Sequence, residues 1–518
     1  MLILLPSILL VATSMVLLVL RGLRPAFRFA WLIAVGGALT ALLASVLWQW
    51  AMPISLSLPS WQPAVLFTTS PIFLGDRIAW PFVISLTGLL LASLMTAGAQ
   101  EDFPNSLMWA ALLALTAFGL LALIAANPLT LVLVWTALDL LELITQLSSV
   151  KGNGAGERAV IAFSMRVLGG GMLVWAHMVS LSNGIRMDFS NTAPQAGLYL
   201  ILAAGLRLSG LPLHLPYQAE SVLSRGFGNT LLLVSAASSL ILLTRVSPGG
   251  VTPFPSAILL ILAAAAALYA GWLWLRAPDA LTGRPFWLIG MAALAVSTTL
   301  RSNTLGVVAW GCVMILAGSV LFLSTIQNKW LNRVLLIGAW GLTALPFSMT
   351  ALSWVSTAWF QVTLPVLIAA QSLFIAGYVR HALHPGERAF SEAQPAWTQR
   401  LYPIGIGFLL ILQLVLGLWG WDGAFQIGLW PAGMAACILA LIVVWAVPRF
   451  RIFNPIQAHW IRQAGSLFNG LSNNMRSLHG LLGQVNHYIT DIFEGDGGVM
   501  WTLLFLVLFI SLMAQAAP

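Results

Sequence analysis

The chain is a succession of apolar stretches separated by short polar connections. A membrane-spanning helix needs about 20 predominantly apolar residues, and the pattern predicts about sixteen such helices. The predicted spans cover residues 2–20, 29–50, 77–97, 106–126, 128–149, 158–183, 195–216, 227–245, 255–275, 285–300, 304–326, 331–350, 355–379, 402–421, 426–447 and 499–516. The first stretch lacks a basic segment before it, so we expect a retained helix rather than a cleaved signal.

Residues 454–492 have a different pattern. Apolar side chains recur there at three- and four-residue steps, from Ile456 to Ile492, with amides and arginines between them. That spacing predicts an amphipathic helix that lies along a surface, about 55–60 Å long. It is either a membrane-surface anchor or a strut across neighbouring helices or a partner subunit.

The composition excludes a water-soluble globule, because 59% of the residues are hydrophobic and 7% are charged, against about 25% charged in soluble proteins. If the N-terminus lies outside, seventeen lysines and arginines fall in inner connections and four in outer ones. This bias predicts that orientation, with both termini outside, in a bacterial inner (cytoplasmic) membrane. The net charge of +8 reflects these connections and does not indicate nucleic acid.

Six ionisable residues lie inside otherwise apolar stretches, and all of them fall between residues 139 and 214. They are Asp139, Glu142, Arg166, His177, Arg207 and His214. A charge at the bilayer centre costs roughly 2.5–3.5 kcal/mol, so such groups usually face a protein interior and mark an ion or substrate path. The equally apolar stretch 286–379 has almost none outside its loops, and this asymmetry is the main indication of function.

The two carboxylates, Asp139 and Glu142, are one turn apart on one helix face. Two like charges so close together favour protonation of one of them, which would permit proton exchange. An arginine such as Arg166 would instead favour the charged form and fix a static ion pair. Both alternatives stay open, as does a solvated position of Glu142 near the inner interface. His177, about three turns after Arg166, is either a relay or a structural residue.

The span that holds Arg207 and His214 is interrupted by Pro212 and Pro216. Proline removes a helix hydrogen bond, and broken helices at membrane depth occur where they are buried in protein or line a wet cavity. The segment therefore predicts a helix break beside an ion path, or else a structural kink with its own internal pairing.

No motif points to a cofactor, a metal ion or a catalytic site. Cys312 and Cys437 stand in separate apolar segments and fit no metal or disulfide spacing. His381 and His384 lie three residues apart without a third ligand nearby. There is no phosphate-binding glycine loop and no nucleophile elbow, so we expect neither a cofactor nor catalytic residues in this chain.

Several local sequences resemble one family of membrane proteins. They are residues 126–131 (ANPLTL) leading to Val134 and Trp135, residues 164–169 (SMRVLG), residues 206–214 (LRLSGLPLH) and residues 345–348 (LPFS). These are similar to the fifth, sixth, broken seventh and broken twelfth helices of the large antiporter-like subunits of respiratory complex I and of Mrp-type sodium/proton antiporters. The resemblance implies a second helix break at Pro346.

The resemblance also implies a fold. It is an all-α polytopic membrane protein of about sixteen spans, with two inverted five-helix repeats, broken helices and a lateral helix before the last span. The expected parts are N-terminal helices at 1–127, the repeats at 128–246 and 255–379, C-terminal helices at 402–447, the lateral helix at 454–492 and a final anchor at 499–516.

Most of the family's charged positions are altered. The glutamate after the fifth-helix tryptophan corresponds to Thr136, and the sixth-helix aspartate corresponds to Gly169. The seventh-helix lysine corresponds to Arg207, which stays charged at any working pH and is a poor proton carrier. The basic residue of the eighth helix and the lysine of the twelfth correspond to Ser235 and Ser353. The resemblance therefore implies that the second of the family's two proton half-channels lacks its charged residues in this chain.

Three functions remain open. The subunit moves protons or cations through its first half, with Asp139 or Glu142 as exchange site, Arg207 setting the field and His214 as relay. Alternatively, it is a degenerate scaffold that braces a membrane arm, or the membrane subunit of an energy-coupled inorganic-carbon uptake complex. The expected partners are other membrane subunits, a peripheral cytoplasmic module and lipid, and no nucleic acid.

Overall fold

The computed structural model describes residues 2–24, 27, 29–59, 70–99, 105–149, 153–189, 191–208, 225–325, 329–355, 361–383 and 396–449. Within these ranges, twelve helices are long and apolar enough to cross a membrane. The chain is therefore a helical membrane protein, and its described residues contain one short hairpin besides the helices. The lateral helix expected at 454–492, the span at 499–516, and Pro212, His214 and Pro216 lie outside the described residues.

The elements follow the predicted spans closely through most of the chain. Their bounds are α1 Leu5–Leu23, α2 Ala30–Ala51, β1 Ile54–Ser57, β2 Ile72–Gly75, α3 Ala79–Thr96, α4 Ser106–Leu123, α5 Pro128–Ser149, α6 Asn153–Ser182, α7 Gly197–Arg207, α8 Arg225–Leu243, α9 Pro253–Arg276, α10 Ala280–Leu300, α11 Thr304–Leu323, α12 Lys329–Leu335, α13 Ile337–Trp340, α14 Leu364–Leu383, α15 Ala396–Leu418 and α16 Trp430–Arg449.

The chain divides into a large unit, Met1–Leu58 with Pro71–Val444, and a second unit of which only residues 59, 70 and 445–449 are described. In the large unit, nearly every side chain of α3, α8 and α11 is buried, as expected for helices that are apolar on all sides. α2, α4 and α15 pack on α3, while α5, α6 and α7 form a layer beside α4 and α8. That layer carries the titratable residues of the first half.

The hairpin between α2 and α3 is a feature that the sequence pattern did not predict. β1 and β2 are antiparallel, with Ile54 opposite Gly75. β2 also bonds to the connection between α4 and α5, where Leu74 N donates to Ile124 O (2.7 Å) and Ala126 N donates to Ile72 O (2.9 Å). Strands of four residues are too short to give a clear alternating pattern.

The start of α5 is tied to this hairpin by two side chains. Asn127 Oδ1 accepts hydrogen bonds from Thr130 N (2.8 Å) and from the Thr130 hydroxyl (2.6 Å). Thr130 Oγ1 in turn accepts a bond from Ile72 N of β2 (2.9 Å). Pro128 occupies the first helical position, where its missing N–H costs nothing. The ANPLT sequence therefore fixes where α5 begins and, with it, the register of the residues further along.

The prediction of one continuous span at 331–350 was wrong. Helix ends at Trp340, and residues 341–355 form turns that contain Pro346. Ala344 and Phe347 have positive φ angles of 54° and 63°, a conformation that a helix does not allow. The apolar composition of this stretch correctly predicted that it is buried, but it did not predict the irregular backbone.

Buried side chains satisfy the backbone groups that the missing helical turns leave open. The Thr350 hydroxyl donates to Gly341 O (2.7 Å), and Gln371 Nε2 of α14 donates to Leu342 O (2.6 Å). Gln413 of α15 donates to Gly338 O (2.9 Å). Because unpaired backbone groups are costly in an apolar interior, these uncharged side chains stabilise the irregular segment.

Candidate ion-pair site in the membrane domain

Four of the predicted ionisable residues meet in the layer formed by α5, α6 and α7. Asp139 and Glu142 lie on α5, Arg166 lies on α6, and Arg207 ends α7. All four are buried, and Glu142 has no exposed surface. We call Asp139, Glu142, Arg166 and Arg207 the charge quartet. The structure thus places in one interior site four of the six residues singled out by the sequence.

Arg207 binds Asp139 through both of its terminal nitrogens. Nη1 lies 2.6 Å from Oδ2, and Nη2 lies 2.7 Å from Oδ1. This bidentate arrangement places two parallel hydrogen bonds between the planar guanidinium and the planar carboxylate, and it is the strongest geometry available to such a pair. Both Asp139 oxygens are therefore occupied by one permanently charged partner.

Neighbouring groups hold the rest of the Arg207 side chain in place. Its guanidinium carbon lies 4.0 Å from the centre of the Trp135 ring, within the range of a cation–π interaction. Nε donates to the Ser239 hydroxyl of α8 (3.2 Å), and Nη1 also donates to the Arg166 carbonyl of α6 (3.2 Å). Arg207 is thus tied to α5, α6 and α8 at once.

Gly169 provides the space that Arg207 occupies. A Cβ atom at this position would lie 2.6 Å from Arg207 Cγ and 2.9 Å from the Ala203 carbonyl oxygen. Real side chains do not approach so closely, and the backbone oxygen cannot easily yield. The absence of a side chain at Gly169 therefore permits the close crossing of α6 and α7.

The second ion pair joins Glu142 to Arg166. Arg166 Nη1 contacts Glu142 Oε1, and Gln146 Nε2 donates to the same oxygen from one turn further along α5 (3.0 Å). Glu142 Oε2 has no hydrogen-bond partner among the described residues. The two carboxylates consequently differ, since Asp139 is held at both oxygens and Glu142 at one.

The charge quartet is electrically neutral as two carboxylates and two guanidinium groups. An isolated charge in this interior would be strongly disfavoured, and each member offsets the charge of another. Removing one partner leaves an uncompensated buried charge, which costs far more than losing an exposed ion pair. A change in the protonation of any member therefore changes the net charge of the whole site.

Of the other predicted site residues, the structure describes His177 and Pro346, and both lie away from the charge quartet. His177 is half-buried on α6, eleven residues after Arg166 and so about 16 Å along the helix. Its Nδ1 has no hydrogen-bond partner among the described residues. His214, Pro212 and Pro216 lie outside those residues, and Pro346 lies in the irregular segment of the second half.

Apart from Arg207, the positions that the resemblance pairs with charged residues hold uncharged groups here. Thr136 is exposed, and its hydroxyl donates to Val132 O of its own helix (2.8 Å). Ser235 and Ser353 are buried. In the second half, Gln371 is fully buried and accepts a bond from Trp354 Nε1 (2.8 Å). None of these side chains titrates near neutral pH.

Sequence reasoning missed several residues that shape the site. Gln146 could have been found from its four-residue spacing to Glu142 on the same helix. Ser239 carried no signal of its own, because it acts through a contact with another helix. Trp135 and Gly169 stood out only as positions of the family resemblance, which did not indicate their contacts with Arg207. Within the described residues, no group of three histidine, cysteine, aspartate or glutamate side chains could hold a metal ion.

The site lies in a fold with known counterparts. No protein-family model matches the chain, and no curated protein sequence matches it. Solved structures are similar: a chain of the Mrp complex from Dietzia sp. DQ12-45-1b has a TM-score of 0.70 at 14% identity, covering 100% of this chain and 63% of that one. This chain thus spans less than two-thirds of the length of the Mrp chain.

Two further structures have the same fold. A chain of the membrane-bound sulfane sulfur reductase (MBS), an archaeal respiratory membrane complex, has a TM-score of 0.68 at 12% identity, covering 97% of this chain and 99% of that one. A chain of respiratory complex I from Thermus thermophilus with bound NADH has a TM-score of 0.60 at 16% identity, covering 85% and 99%. All three are subunits of multi-subunit assemblies. The chain therefore has the antiporter-like membrane-subunit fold of complexes related to Mrp and complex I.

Proposed function

We propose that this chain is a subunit of a multi-subunit membrane complex and takes part in proton translocation coupled to a partner module. The observation that carries the proposal is the charge quartet, two buried ion pairs inside a membrane-spanning bundle of this fold. Replacing buried ion pairs by packed apolar residues is often neutral or stabilising. A subunit that served only as a brace would therefore gain little from four charges at this depth.

Within the quartet, Glu142 is the proposed exchange site. Both oxygens of Asp139 are bound to Arg207, so a proton can bind to Asp139 only if one bond of this bidentate ion pair breaks. Glu142 Oε2 has no partner among the described residues and can take a proton while Oε1 keeps its bonds to Gln146 and Arg166. Arg207 acts as the fixed cation that sets the local field.

Protonation of Glu142 would change the site from neutral to a net charge of plus one. Arg166 would then lose the charge of Glu142 while its carbonyl still accepts a bond from Arg207. A buried site with excess positive charge favours movement of a guanidinium or expulsion of a positive charge. We propose that this step couples proton uptake to a neighbouring site, with His214 as relay.

Glu142→Gln, in the whole complex reconstituted in proteoliposomes, tests this proposal. Glutamine keeps the size of the side chain and a hydrogen-bond acceptor for Gln146, but it cannot exchange a proton. We expect a lower melting temperature, because Arg166 loses the charge of Glu142, and loss of most proton uptake and coupled turnover in the complex that assembles. Asp279→Asn is the matched control, since this carboxylate lies outside the charge quartet and asparagine keeps an acceptor for the cap of α10. Unchanged proton uptake by the Glu142→Gln complex would refute the proposal.

A second candidate function is a non-conducting brace, favoured by the second half of the chain. Residues 251–383 contain a single carboxylate, Asp279, whose side chain caps α10 through Thr282 N (2.8 Å). Buried amides and hydroxyls there bond to the irregular backbone, and the basic residues Arg284, Arg301 and His381 are also buried in this range, whose sequence offers them no carboxylate other than Asp279. A complex that pumps normally with Glu142→Gln but fails to assemble with Gln371→Leu would support the brace.

A further inference from the structure

The end of the bundle that carries β1 and β2 contains a cavity that the charge quartet does not use. Its volume is about 420 Å³, and its polar lining comes from Asn191, Thr192, Thr244, Arg245, Ser247 and Asp422. These residues precede α7, follow α8 and join α15 to α16, so three separate connections meet around it. A cavity of this size can hold a small molecule or a lipid headgroup.

Arg245 supplies a cationic group with unused donors on one side of this cavity. Only 9% of its side chain is exposed, and the only acceptor its guanidinium has among the described residues is Asp76, at 2.6 Å from Nη1. A guanidinium has five N–H donors, and leaving them without acceptors in a buried position is costly. An oxyanion in the cavity would accept hydrogen bonds from this group.

The N-terminus of α11 also favours a negatively charged group in the cavity. Thr304 and Leu305, the first two residues of the helix, line the cavity. The amide groups of a first helical turn have no partners inside the helix, and the helix dipole places a partial positive charge there. The Arg245 side of the cavity therefore favours a negatively charged group.

Asp422 gives the cavity a second and opposite charge. Its side chain is 51% exposed, and its partner Arg77, at 3.1 Å, is 69% exposed. Exposed ion pairs of this kind are weak because water screens them. A carboxylate can accept about four hydrogen bonds, so Asp422 keeps the capacity to bind an ammonium group while it contacts Arg77.

From this arrangement we propose that the cavity binds a zwitterion that carries an oxyanion and an ammonium group. The oxyanion bonds to Arg245 and the first turn of α11, and the ammonium group bonds to Asp422. Two sources share this chemistry: the headgroup of an ethanolamine phospholipid and a free phosphorylated amine. The apolar residues Ile78, Phe189 and Leu305 in the lining suit the carbon chain that joins the two charges in either source.

The test measures binding of O-phosphoethanolamine and of inorganic phosphate to the delipidated whole complex, and the melting temperature of the complex in nanodiscs. The nanodiscs contain ethanolamine, glycerol or choline phospholipids with identical acyl chains. We expect the wild type to prefer ethanolamine headgroups or O-phosphoethanolamine. Stabilisation only by the ethanolamine bilayer identifies a lipid, whereas binding of the soluble compound identifies a free amine.

Two variants separate the charges of the proposed site. Arg245→Lys keeps a positive charge beside Asp76 but loses two of the five N–H donors and the planar guanidinium geometry, and we expect roughly tenfold weaker binding of both soluble phosphates, the loss of about one charge-assisted contact. Asp422→Asn should remove the preference for ethanolamine while phosphate still binds. Asp279→Asn, which keeps an acceptor for the cap of α10, is the control.

Equal behaviour of the wild type, Arg245→Lys and Asp422→Asn with every probe would overturn the proposal. Asp422 is exposed, so its variant is expected to fold even if Arg245→Lys does not. Because these readouts record binding and not translocation, they are independent of whether Glu142 exchanges protons.

Discussion

Gly169 of α6 lies directly against Arg207 of α7: a Cβ atom on Gly169 would be 2.6 Å from Arg207 Cγ. The distance from the same Cβ position to the Ala203 carbonyl oxygen would be 2.9 Å. The ion pair between Arg207 and Asp139 therefore requires that position 169 of α6 carries no side chain. A longer side chain at position 169 and an arginine at position 207 cannot occupy this crossing together.

We predict that Gly169→Ala destabilises the protein by about 1–3 kcal/mol, the usual cost of inserting a methyl group into a packed interior. The melting temperature of the purified complex measures this effect. Gly170→Ala is the matched control, because nothing lies within 4 Å of a Cβ atom there. Alanine is also the better helix former, so equal melting temperatures for the two variants would show that Arg207 does not pack against Gly169.

The residues of this site could be predicted from the sequence, but their pairing could not. Apolar surroundings marked Asp139, Glu142, Arg166 and Arg207 as buried, because charges are rare in membrane spans. The spacing of residues on one helix does not determine which arginine of another helix reaches which carboxylate. From the sequence, Arg166 is a possible partner of either carboxylate, and the structure pairs it with Glu142.

A second prediction concerns the Asp139–Arg207 ion pair. Arg207→Met leaves Asp139 buried without a partner, and we expect a loss of about 3–5 kcal/mol of stability together with poor assembly. Asp139→Leu combined with Arg207→Met removes both charges, so the double variant should recover much of that loss. The yield and melting temperature of the four proteins of this cycle provide the measurement.

The exposed pair between Arg77 and Asp422 supplies the control for that cycle. Arg77→Met should change stability by no more than about 0.5 kcal/mol, because water screens exposed ion pairs. A double variant at positions 139 and 207 that is less stable than Arg207→Met alone would contradict the paired arrangement.

The third prediction concerns the cap that starts α5. Asn127→Ala removes the acceptor for Thr130 N and for the Thr130 hydroxyl, and we expect a loss of about 1–2 kcal/mol. Asn127→Asp restores the acceptor and should retain most of the stability. Thermal unfolding of the three proteins tests this, and equal melting temperatures for alanine and aspartate would show that the cap contributes nothing.

The irregular segment after α13 marks where sequence patterns stop being informative. The stretch 331–350 is apolar enough to predict a helix, and Pro346 alone does not locate the end of the helix at Trp340. The deciding groups are distant in sequence: Gln371 lies on α14 and Gln413 on α15, and both bond to backbone oxygens of the segment. Hydrophobic periodicity reports local burial, whereas these bonds connect separate helices.

The last prediction follows from those bonds. Gln371→Leu has nearly the same volume, but it leaves Trp354 Nε1 without its acceptor and Leu342 O without its donor. A buried polar group without a partner costs about 1–3 kcal/mol, so we expect a clear fall in melting temperature and assembly. Ser372→Ala is the control, since Ser372 bonds only to Ala369 O of its own helix (2.7 Å) and should lose little. Because no charge is involved, the fall caused by Gln371→Leu should be independent of salt concentration, and a strong salt dependence would point to an ionic role for this half of the protein.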